Sequence, residues 1–124
     1  MLDDILKLSH EIRNFEQEML DLCRDGKLHG TIHASIGAEV VACAAASVAG
    51  KDDIVVSNHR NHAHYLAFTG DFDGLRDQIC NGKGGSQHIY GPRFYSNGIQ
   101  GGMVPVAAGL AYTLKGMAIS YGAL

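Results

Sequence analysis

The stretch of this sequence with the clearest chemical capacity is "SNHRNHAH", which brings together His59, Arg60, His62 and His64. Imidazoles this close together could ligate a metal ion, although neither an HExxH nor an HxxEH motif is present. Arg60 is discordant for a cation site, because a guanidinium repels a divalent metal, but it suits a phosphate, which arginine binds bidentately. The pattern favours an anion site, and a metal site or a coincidence of composition remain the alternatives.

The segment before this cluster predicts where it lies in the fold. Residues 52–57, "DDIVVS", form a short β-branched run that is typical of a buried strand. In open α/β sheets, ligands bind outside the carboxyl ends of the strands. The order of strand and cluster therefore favours a functional role for His59 and Arg60.

A helix is predicted over residues 3–25, because apolar residues recur there at alternating spacings of three and four. This stripe packs on its own domain or forms a seam for a partner helix. Charged residues, including Glu16, are expected on the exposed side, and Gly26 is a natural end for the helix. The stripe consists of Ile5, Leu8, Ile12, Phe15, Met19 and Leu22.

The rest of the chain alternates between helical and extended patterns, which predicts an α/β fold with a parallel sheet flanked by helices. The segment at 36–50 consists mainly of small apolar residues, so that helix is expected to be buried on several sides. A sheet that ends on an uncovered strand is expected to be part of a domain rather than a whole one. The predicted elements are helices at 36–50, 64–69, 71–80 and 104–116, an ordered glycine-rich loop at 81–103, and a final strand at 117–122.

Composition narrows the classes of function. A chain of 124 residues is long enough for one domain, and its net charge of −3 argues against nucleic acid as a partner. The three cysteines are far apart and odd in number, which favours reduced thiols in the cytoplasm over disulfides or a thiolate zinc site. The start of the sequence carries neither a signal peptide nor a membrane span, so a soluble cytoplasmic protein is expected.

The segment "GKGGS" has only a superficial likeness to a phosphate-binding loop. A Walker A motif requires a glycine five residues before Gly82, and Asp77 stands there. Lys83 is either an anion contact or a solvated lysine in a turn.

Four motifs together resemble a known family. The segments "HGTIHASIGAEVVA", "SNHRNHAH", "NGKGGSQHIYG" and "FYSNGIQGGMVPVAAGLA" follow the order and approximate spacing of the alpha subunit of thiamine-diphosphate-dependent 2-oxoacid dehydrogenases. These subunits belong to the decarboxylating first component of the pyruvate, branched-chain and acetoin dehydrogenase complexes. The likeness covers essentially all of residues 1–124 and corresponds to the N-terminal third or so of such a subunit. His59 makes it most similar to the acetoin-dehydrogenase branch.

The resemblance implies roles for particular residues on the cofactor's diphosphate side and near the substrate. Arg60 matches the arginine that binds the diphosphate, and His59 matches the neighbouring contact. His33 matches a histidine near the substrate carboxylate, and His62, like His88, matches a histidine near the cofactor cavity. Each of these has a structural alternative, as a polar residue of the core or surface.

Three further positions are implied through the main chain. Gly91 matches a backbone contact on the diphosphate side. Gly98 and Gln100 match the positions whose main chain meets the aminopyrimidine, with Gln100 standing where the family usually has valine. A main-chain contact survives that change, but the pocket becomes more polar.

The resemblance also implies cofactors and partners. Thiamine diphosphate with magnesium would carry the chemistry, a beta subunit would supply the glutamate that activates the aminopyrimidine, and a lipoyl acyltransferase would receive the acyl group. In this sequence Gly122 fits the start of the magnesium motif, but Ala123 replaces its metal-binding aspartate. Without that ligand, weak cofactor binding or none is expected from this chain alone, so a partner chain is expected to supply the magnesium motif.

Three hypotheses follow. In the first, the chain is part of a thiamine-diphosphate-dependent dehydrogenase alpha subunit, either naturally split or truncated before the magnesium motif, and is inactive by itself. In the second it is a degenerate relative kept as an interaction or regulatory module. In the third it is a small histidine-rich metal-binding protein. The first would make the chain one component of a hetero-oligomeric oxidoreductase.

Overall fold

Helices pack around a small mixed sheet in the computed structural model, which describes residues 1–82, 85–114 and 118–120. Within those residues the predicted α/β class is confirmed. The helices are α1 (Leu2–Arg24), α2 (Glu39–Val48), α3 (His62–Thr69), α4 (Phe72–Asn81) and α5 (Val104–Leu114). The strands are β1 (Ile54–Ser57), β2 (Tyr90–Gly91), β3 (Phe94–Ser96) and β4 (Ala118–Ser120), and Gly85–Gln87 form a single 3-10 turn.

The sheet has the order β2-β3-β1-β4, with β1 parallel to both β3 and β4. The prediction of a parallel sheet is right for these three strands and wrong for β2, which pairs antiparallel with β3. Only Pro92 and Arg93 separate β2 from β3, and such a short connection can join only antiparallel strands. Arg93 completes the turn with a positive φ of 58°.

The apolar stripe of α1 is buried against its own chain, which confirms the interpretation that it packs on its own domain. Ile12, Phe15 and Met19 belong to one core cluster with residues of α3, α4 and the sheet. The helix ends in a Schellman motif, in which the amides of Gly26 and Lys27 donate to the carbonyls of Cys23 and Leu22. Gly26 adopts the left-handed conformation that this ending requires, with a φ of 69°.

The prediction that Glu16 lies on the exposed side of α1 is wrong, because the structure buries it completely. Glu16 follows Ile12 by four residues and precedes Met19 by three, so it shares their face of the helix. A carboxylate on that face requires partners inside the fold.

The expectation that the small-residue helix is buried on several sides is also wrong. α2 packs on α1 and α3, yet Val41 and Val48 on its other side are 68% and 82% exposed. Its first residue, Glu39, is buried and accepts hydrogen bonds from both the Nε and Nη2 atoms of Arg13. This pair fixes the start of α2 against α1.

The prediction of a continuous loop over 81–103 is wrong for residues 90–96, which form the β2–β3 hairpin. β3 lies beside β1 within the sheet, with Phe94 and Ser96 buried and Tyr95 exposed between them. None of the helices described is both long and apolar enough to cross a membrane.

Candidate functional site

The cluster around Arg60 lies at the carboxyl end of β1, as the sequence predicts. β1 ends at the buried Ser57, and α3 begins at His62, so the intervening residues form the turn between strand and helix. The side-chain oxygen of Asn58 accepts a hydrogen bond of 2.9 Å from the amide of Arg60, which tightens this turn. The turn carries Arg60 to the surface of the molecule.

Arg60 is an exposed cation without an acidic partner in the part of the chain that the structure describes. Its Nη1 atom donates a 2.7 Å hydrogen bond to the carbonyl of Ala34, which orients the guanidinium. A guanidinium presents five donors in a fixed fork, so one bond to a carbonyl does not exhaust it. The arrangement suits an anion.

His33 and His59 are in ring contact beside Arg60. Their ring centroids are 5.1 Å apart and the ring planes make an angle of 87°. Burial lowers the pKa of His59, and the neighbouring His33 and Arg60 lower it further. The imidazole of His59 is therefore neutral at pH 7. Its Nδ1 atom is buried and has no hydrogen-bond partner among the described residues.

The end of β3 lies next to this turn. Ser57 and Ser96 are paired at the carboxyl ends of two parallel strands, and the Nδ2 atom of Asn61 donates 2.9 Å hydrogen bonds to the Ser96 hydroxyl and the Gln87 carbonyl. Gly98 and Gln100 follow directly after β3, on the segment that leads to α5. A Cβ atom at Gly98 would lie 2.2 Å from the Gln87 side-chain oxygen. His33, His59, Arg60, Gly98 and Gln100 thus share one edge of the sheet.

Gly91 is not brought to this edge. It pairs with Phe94, the first residue of β3, and so lies near the opposite end of the strand from Ser96. A Cβ atom at Gly91 would lie 2.8 Å from the Tyr65 ring, which is buried. Close packing against Tyr65 accounts for the glycine, and the cofactor contact assigned to Gly91 stays a prediction.

His62 is buried and engaged on both sides of its ring. Its Nδ1 atom lies 2.9 Å from the Oε2 atom of Glu16, and its Nε2 atom lies 3.1 Å from the carbonyl of Ser86. The side chains of His62 and Glu16 are both inaccessible to solvent. Both ring nitrogen atoms of His62 thus face residues of this chain. The catalytic role that the resemblance implies for His62 stays a prediction.

His64 contacts the end of β1. Its Nδ1 atom lies 2.7 Å from the Ser57 hydroxyl, and burial lowers the pKa of His64 to about 4. The metal hypothesis requires three ligands to converge. His59, His62 and His64 instead have separate surroundings, and no suitable group of histidine, cysteine and acidic residues occurs among the residues described.

Sequence reasoning missed the buried partners behind the turn. Glu16 has a signal in the sequence, since a carboxylate between Ile12 and Met19 on an apolar face calls for a buried partner. Asn61 has no such signal, although it is fully buried and its Oδ1 atom has no partner among the described residues. His88 is partly exposed and follows the 3-10 turn. The positions of Lys83, Gly122 and Ala123 lie outside the described residues.

Comparison with known proteins gives the family. A family model described as "Dehydrogenase E1 component" matches residues 7–120. The chain is 37% identical over 115 residues to the alpha subunit of acetoin:2,6-dichlorophenolindophenol oxidoreductase of Bacillus subtilis, covering 85% of this chain and 34% of the relative. It is 37% identical over 112 residues to the mitochondrial pyruvate dehydrogenase E1 component subunit alpha of Chaetomium thermophilum, covering 84% of this chain and 27% of the relative.

A bacterial relative gives the same result. The pyruvate dehydrogenase E1 component subunit alpha of Rickettsia prowazekii is 36% identical over 114 residues, covering 84% of this chain and 35% of the relative. The chain thus spans about a third or less of the length of these relatives. The match to the family model nevertheless extends over most of residues 1–124, and the chain belongs to the dehydrogenase E1 component family.

Proposed function

We propose that this chain supplies the diphosphate-binding turn of a thiamine-diphosphate-dependent 2-oxoacid dehydrogenase, as part of its alpha subunit. The observation that carries the proposal is the exposed Arg60 at the carboxyl end of β1, without an acidic partner in the described part of the chain and next to a neutral His59. Ligands of parallel sheets bind at this edge.

The charge and hydrogen-bonding groups of this turn fit a diphosphate. Arg60 offers a permanent positive charge and several donors, and the Ala34 carbonyl already fixes its direction. His59 offers a buried Nδ1 atom that a phosphate oxygen would satisfy if this atom carries the ring proton. The Gln87 side chain fills the place where a Cβ atom of Gly98 would lie, so Gly98 allows close packing there. We assign the aminopyrimidine to the main chain of Gly98 and Gln100 from the resemblance alone.

We assign the remaining site residues in the same way. His33 would face the carboxylate of a 2-oxo acid from its position against the His59 ring. Bound thiamine diphosphate would supply the carbon centre at which a 2-oxo acid loses carbon dioxide, and this chain's residues would orient it. Magnesium ligands are proposed to come from another chain, since Ala123 stands where the resemblance places the metal-binding aspartate.

Partners are part of the proposal. We assign the missing magnesium motif and a beta-like subunit to neighbouring chains, with a lipoyl acyltransferase as acceptor. Exposed apolar side chains support contact with further protein: Val41 on α2 is 68% exposed, and Val104 and Tyr112 on α5 are 50% and 91% exposed. The three cysteines are free, which supports a reducing compartment, and we propose the cytoplasm.

A tagged pull-down from the native host, followed by mass spectrometry, tests the assembly. A chain carrying the magnesium motif and a beta-like subunit should both co-purify with this chain. In that assembly, Arg60→Ala should lower the affinity for thiamine diphosphate by about tenfold or more, because a charged hydrogen-bond donor is lost. Arg24→Ala removes the same charge from the exposed end of α1 and should change nothing.

The outcome also separates the alternatives. If Arg60→Ala leaves both turnover and cofactor affinity unchanged, the chain is a non-catalytic relative that serves an interaction or regulatory role. If the protein purifies only with itself, the proposal of a dehydrogenase assembly fails.

A further inference from the structure

The proposed diphosphate turn rests on a buried polar network that begins on a different helix. Glu16 on α1 and His62 on α3 form a solvent-inaccessible pair, with Oε2 and Nδ1 separated by 2.9 Å. Their positions are 46 residues apart in the sequence. A buried carboxylate and imidazole are costly to desolvate, so their retention calls for a gain elsewhere.

The network reaches the proposed site through Ser35. The Oε1 atom of Glu16 accepts a 2.7 Å hydrogen bond from the amide of Ser35. The Ser35 hydroxyl donates to the carbonyl of Arg60 at 3.1 Å and accepts from the amide of Ala63 at 3.3 Å. The second bond satisfies an amide in the first turn of α3. Glu16 is thus two hydrogen bonds away from the backbone of Arg60.

A second branch runs through His62. Its Nε2 atom faces the carbonyl of Ser86 at 3.1 Å, and the Ser86 hydroxyl donates to the carbonyl of Thr31 at 2.9 Å. Ser35 and Ser86 are both buried, with 3% and 4% of their surface exposed. The two branches meet the segment that carries His33 at Thr31 and at Ser35, one on each side of His33. They thereby connect this segment to the turn that carries Arg60.

We propose that Glu16 and His62 form a positioning pair, which holds the His33 segment and the Arg60 turn in the geometry that receives a diphosphate. Neither side chain touches the ligand, since both are buried; they act through Ser35 and Ser86. This inference rests on the proposed function for the identity of the ligand, but the geometry it assigns can be tested without any ligand.

The hydrogen bonds made by Glu16 and His62 indicate which substitution of Glu16 would preserve them. Both ring nitrogen atoms of His62 face acceptors, so the Glu16–His62 pair must hold two protons between its members. In Glu16→Gln, the amide can donate to Nδ1 and accept from Ser35, with His62 neutral and protonated at Nε2. Every hydrogen bond of the network is then kept, although the carboxyl group of Glu16 is gone. Glu16→Leu instead removes both acceptor oxygen atoms of Glu16 and replaces them with an apolar side chain of similar size.

The first readout is amide hydrogen exchange of the full 124-residue chain without ligand. In Glu16→Leu, exchange of the Ser35 amide should accelerate by about tenfold or more relative to Val55 in the core, because its acceptor is lost. Glu16→Gln should restore the protection and give a His62 ring with the ¹⁵N shifts of the neutral Nε2–H form. Ser35→Ala, which spares the pair, should accelerate exchange at Ala63 only.

The second readout is affinity for inorganic pyrophosphate, measured by NMR titration of the same variants. Glu16→Leu and Ser35→Ala should each weaken binding by about tenfold, and Glu16→Gln should match the unaltered chain. Ile12→Val is the control, since Ile12 is buried on the same helix but belongs to the apolar cluster. It should lower global stability without changing either readout.

The outcomes separate this inference from the function on which it rests. If pyrophosphate binds neither to the unaltered chain nor to its assembly with the partner chains, the proposed diphosphate turn fails, and the exchange data alone decide whether the pair holds the two segments. Unchanged Ser35 protection in a folded Glu16→Leu chain would overturn the positioning role. If the Glu16→Leu variant does not fold, the Ser35→Ala variant decides. The positioning role would be overturned if Ser35→Ala changes neither the affinity for pyrophosphate nor the exchange rate of the Ala63 amide.

Discussion

At the scale of single residues, burial decides the charge that the histidines next to the turn carry. The pKa of His59 and the pKa of His64 are both lowered chiefly by burial, so both rings are neutral at pH 7. An arginine guanidinium is not deprotonated in proteins. The positive charge of the candidate site therefore comes from the arginine, and the histidine beside it contributes hydrogen bonding.

The lowered pKa of His64 makes stability depend on pH. Because its pKa is about 4 in the folded chain and about 6.5 in the unfolded chain, the unfolded chain binds the extra proton first as pH falls. The contribution of the neutral His64 to the free energy of unfolding is fully present above pH 6.5. About 3 kcal/mol of unfolding free energy is lost as the pH falls from about 6.5 to about 4.

Urea unfolding between pH 7 and pH 4 measures this loss. His64→Asn keeps a hydrogen-bonding group near the Ser57 hydroxyl but does not titrate, so the free energy of unfolding of this variant should vary less over this range. Glu39, whose pKa is lowered mainly by its hydrogen bond from Arg13, loses its contribution at lower pH and affects both chains equally. Parallel pH profiles for the two chains would show that His64 is not the cause.

At the scale of elements, Gly91 in the β2–β3 hairpin can be explained either by close packing or by contact with a ligand. The Tyr65 ring lies where a Cβ atom of Gly91 would go, and it is held there by an edge contact with Phe94 and a 3.2 Å hydrogen bond from its hydroxyl to Asp71. Gly91→Ala should therefore cost about 1–3 kcal/mol of unfolding free energy through overpacking.

A second glycine provides the matched control for this change. A Cβ atom at Gly109 on α5 would meet no atom within 4 Å, so Gly109→Ala should stabilise the helix by about 0.5–1 kcal/mol. Both changes are read from urea unfolding. If Gly91→Ala is as stable as the unaltered chain but loses affinity for pyrophosphate, the implied cofactor contact at Gly91 is right and the packing explanation is wrong.

The elements also show which parts of the fold could be predicted from the sequence. The stripe of α1 and the turn at Gly26 follow local rules of periodicity and backbone conformation, and both were predictable. Strands as short as Tyr90–Gly91 and Phe94–Ser96 are too brief to show a period, so the hairpin was missed. Which face of α2 is exposed depends on the elements that pack against this helix. A run of small apolar residues does not specify those elements.

The same reasoning applies to the candidate site. Arg60 and His59 were placed at the carboxyl end of β1 because a strand precedes them directly, and this position is confirmed. The partners of His62 were not predictable, since Glu16 lies on another helix and Ser86 on a distant turn. Such pairings arise from tertiary packing alone. The burial of Glu16 itself could have been predicted, because its spacing from Ile12 and Met19 places it on the apolar face of α1.

At the scale of the whole molecule, the candidate site lies along an edge that the described residues leave accessible. The order β2-β3-β1-β4 brings the ends of β1 and β3 together, with Arg60 exposed beside them. The exposed apolar faces of α2 and α5 suit burial by further protein. The chain spans 27% to 35% of the three relatives described above, so we expect other segments or chains to complete the cofactor site.

The most direct test of the central claim is an NMR titration of the 124-residue chain with thiamine diphosphate, with thiamine as the ligand that lacks the diphosphate. Binding by this chain alone is expected to be weak, so the ligand is added at high concentration, where the diphosphate form alone should shift the amides of residues 58–61 and 97–100. These shifts should disappear in Arg60→Ala and persist in Arg24→Ala. Equal shifts with thiamine, or diphosphate shifts that survive Arg60→Ala, would contradict the assignment of this turn to the diphosphate.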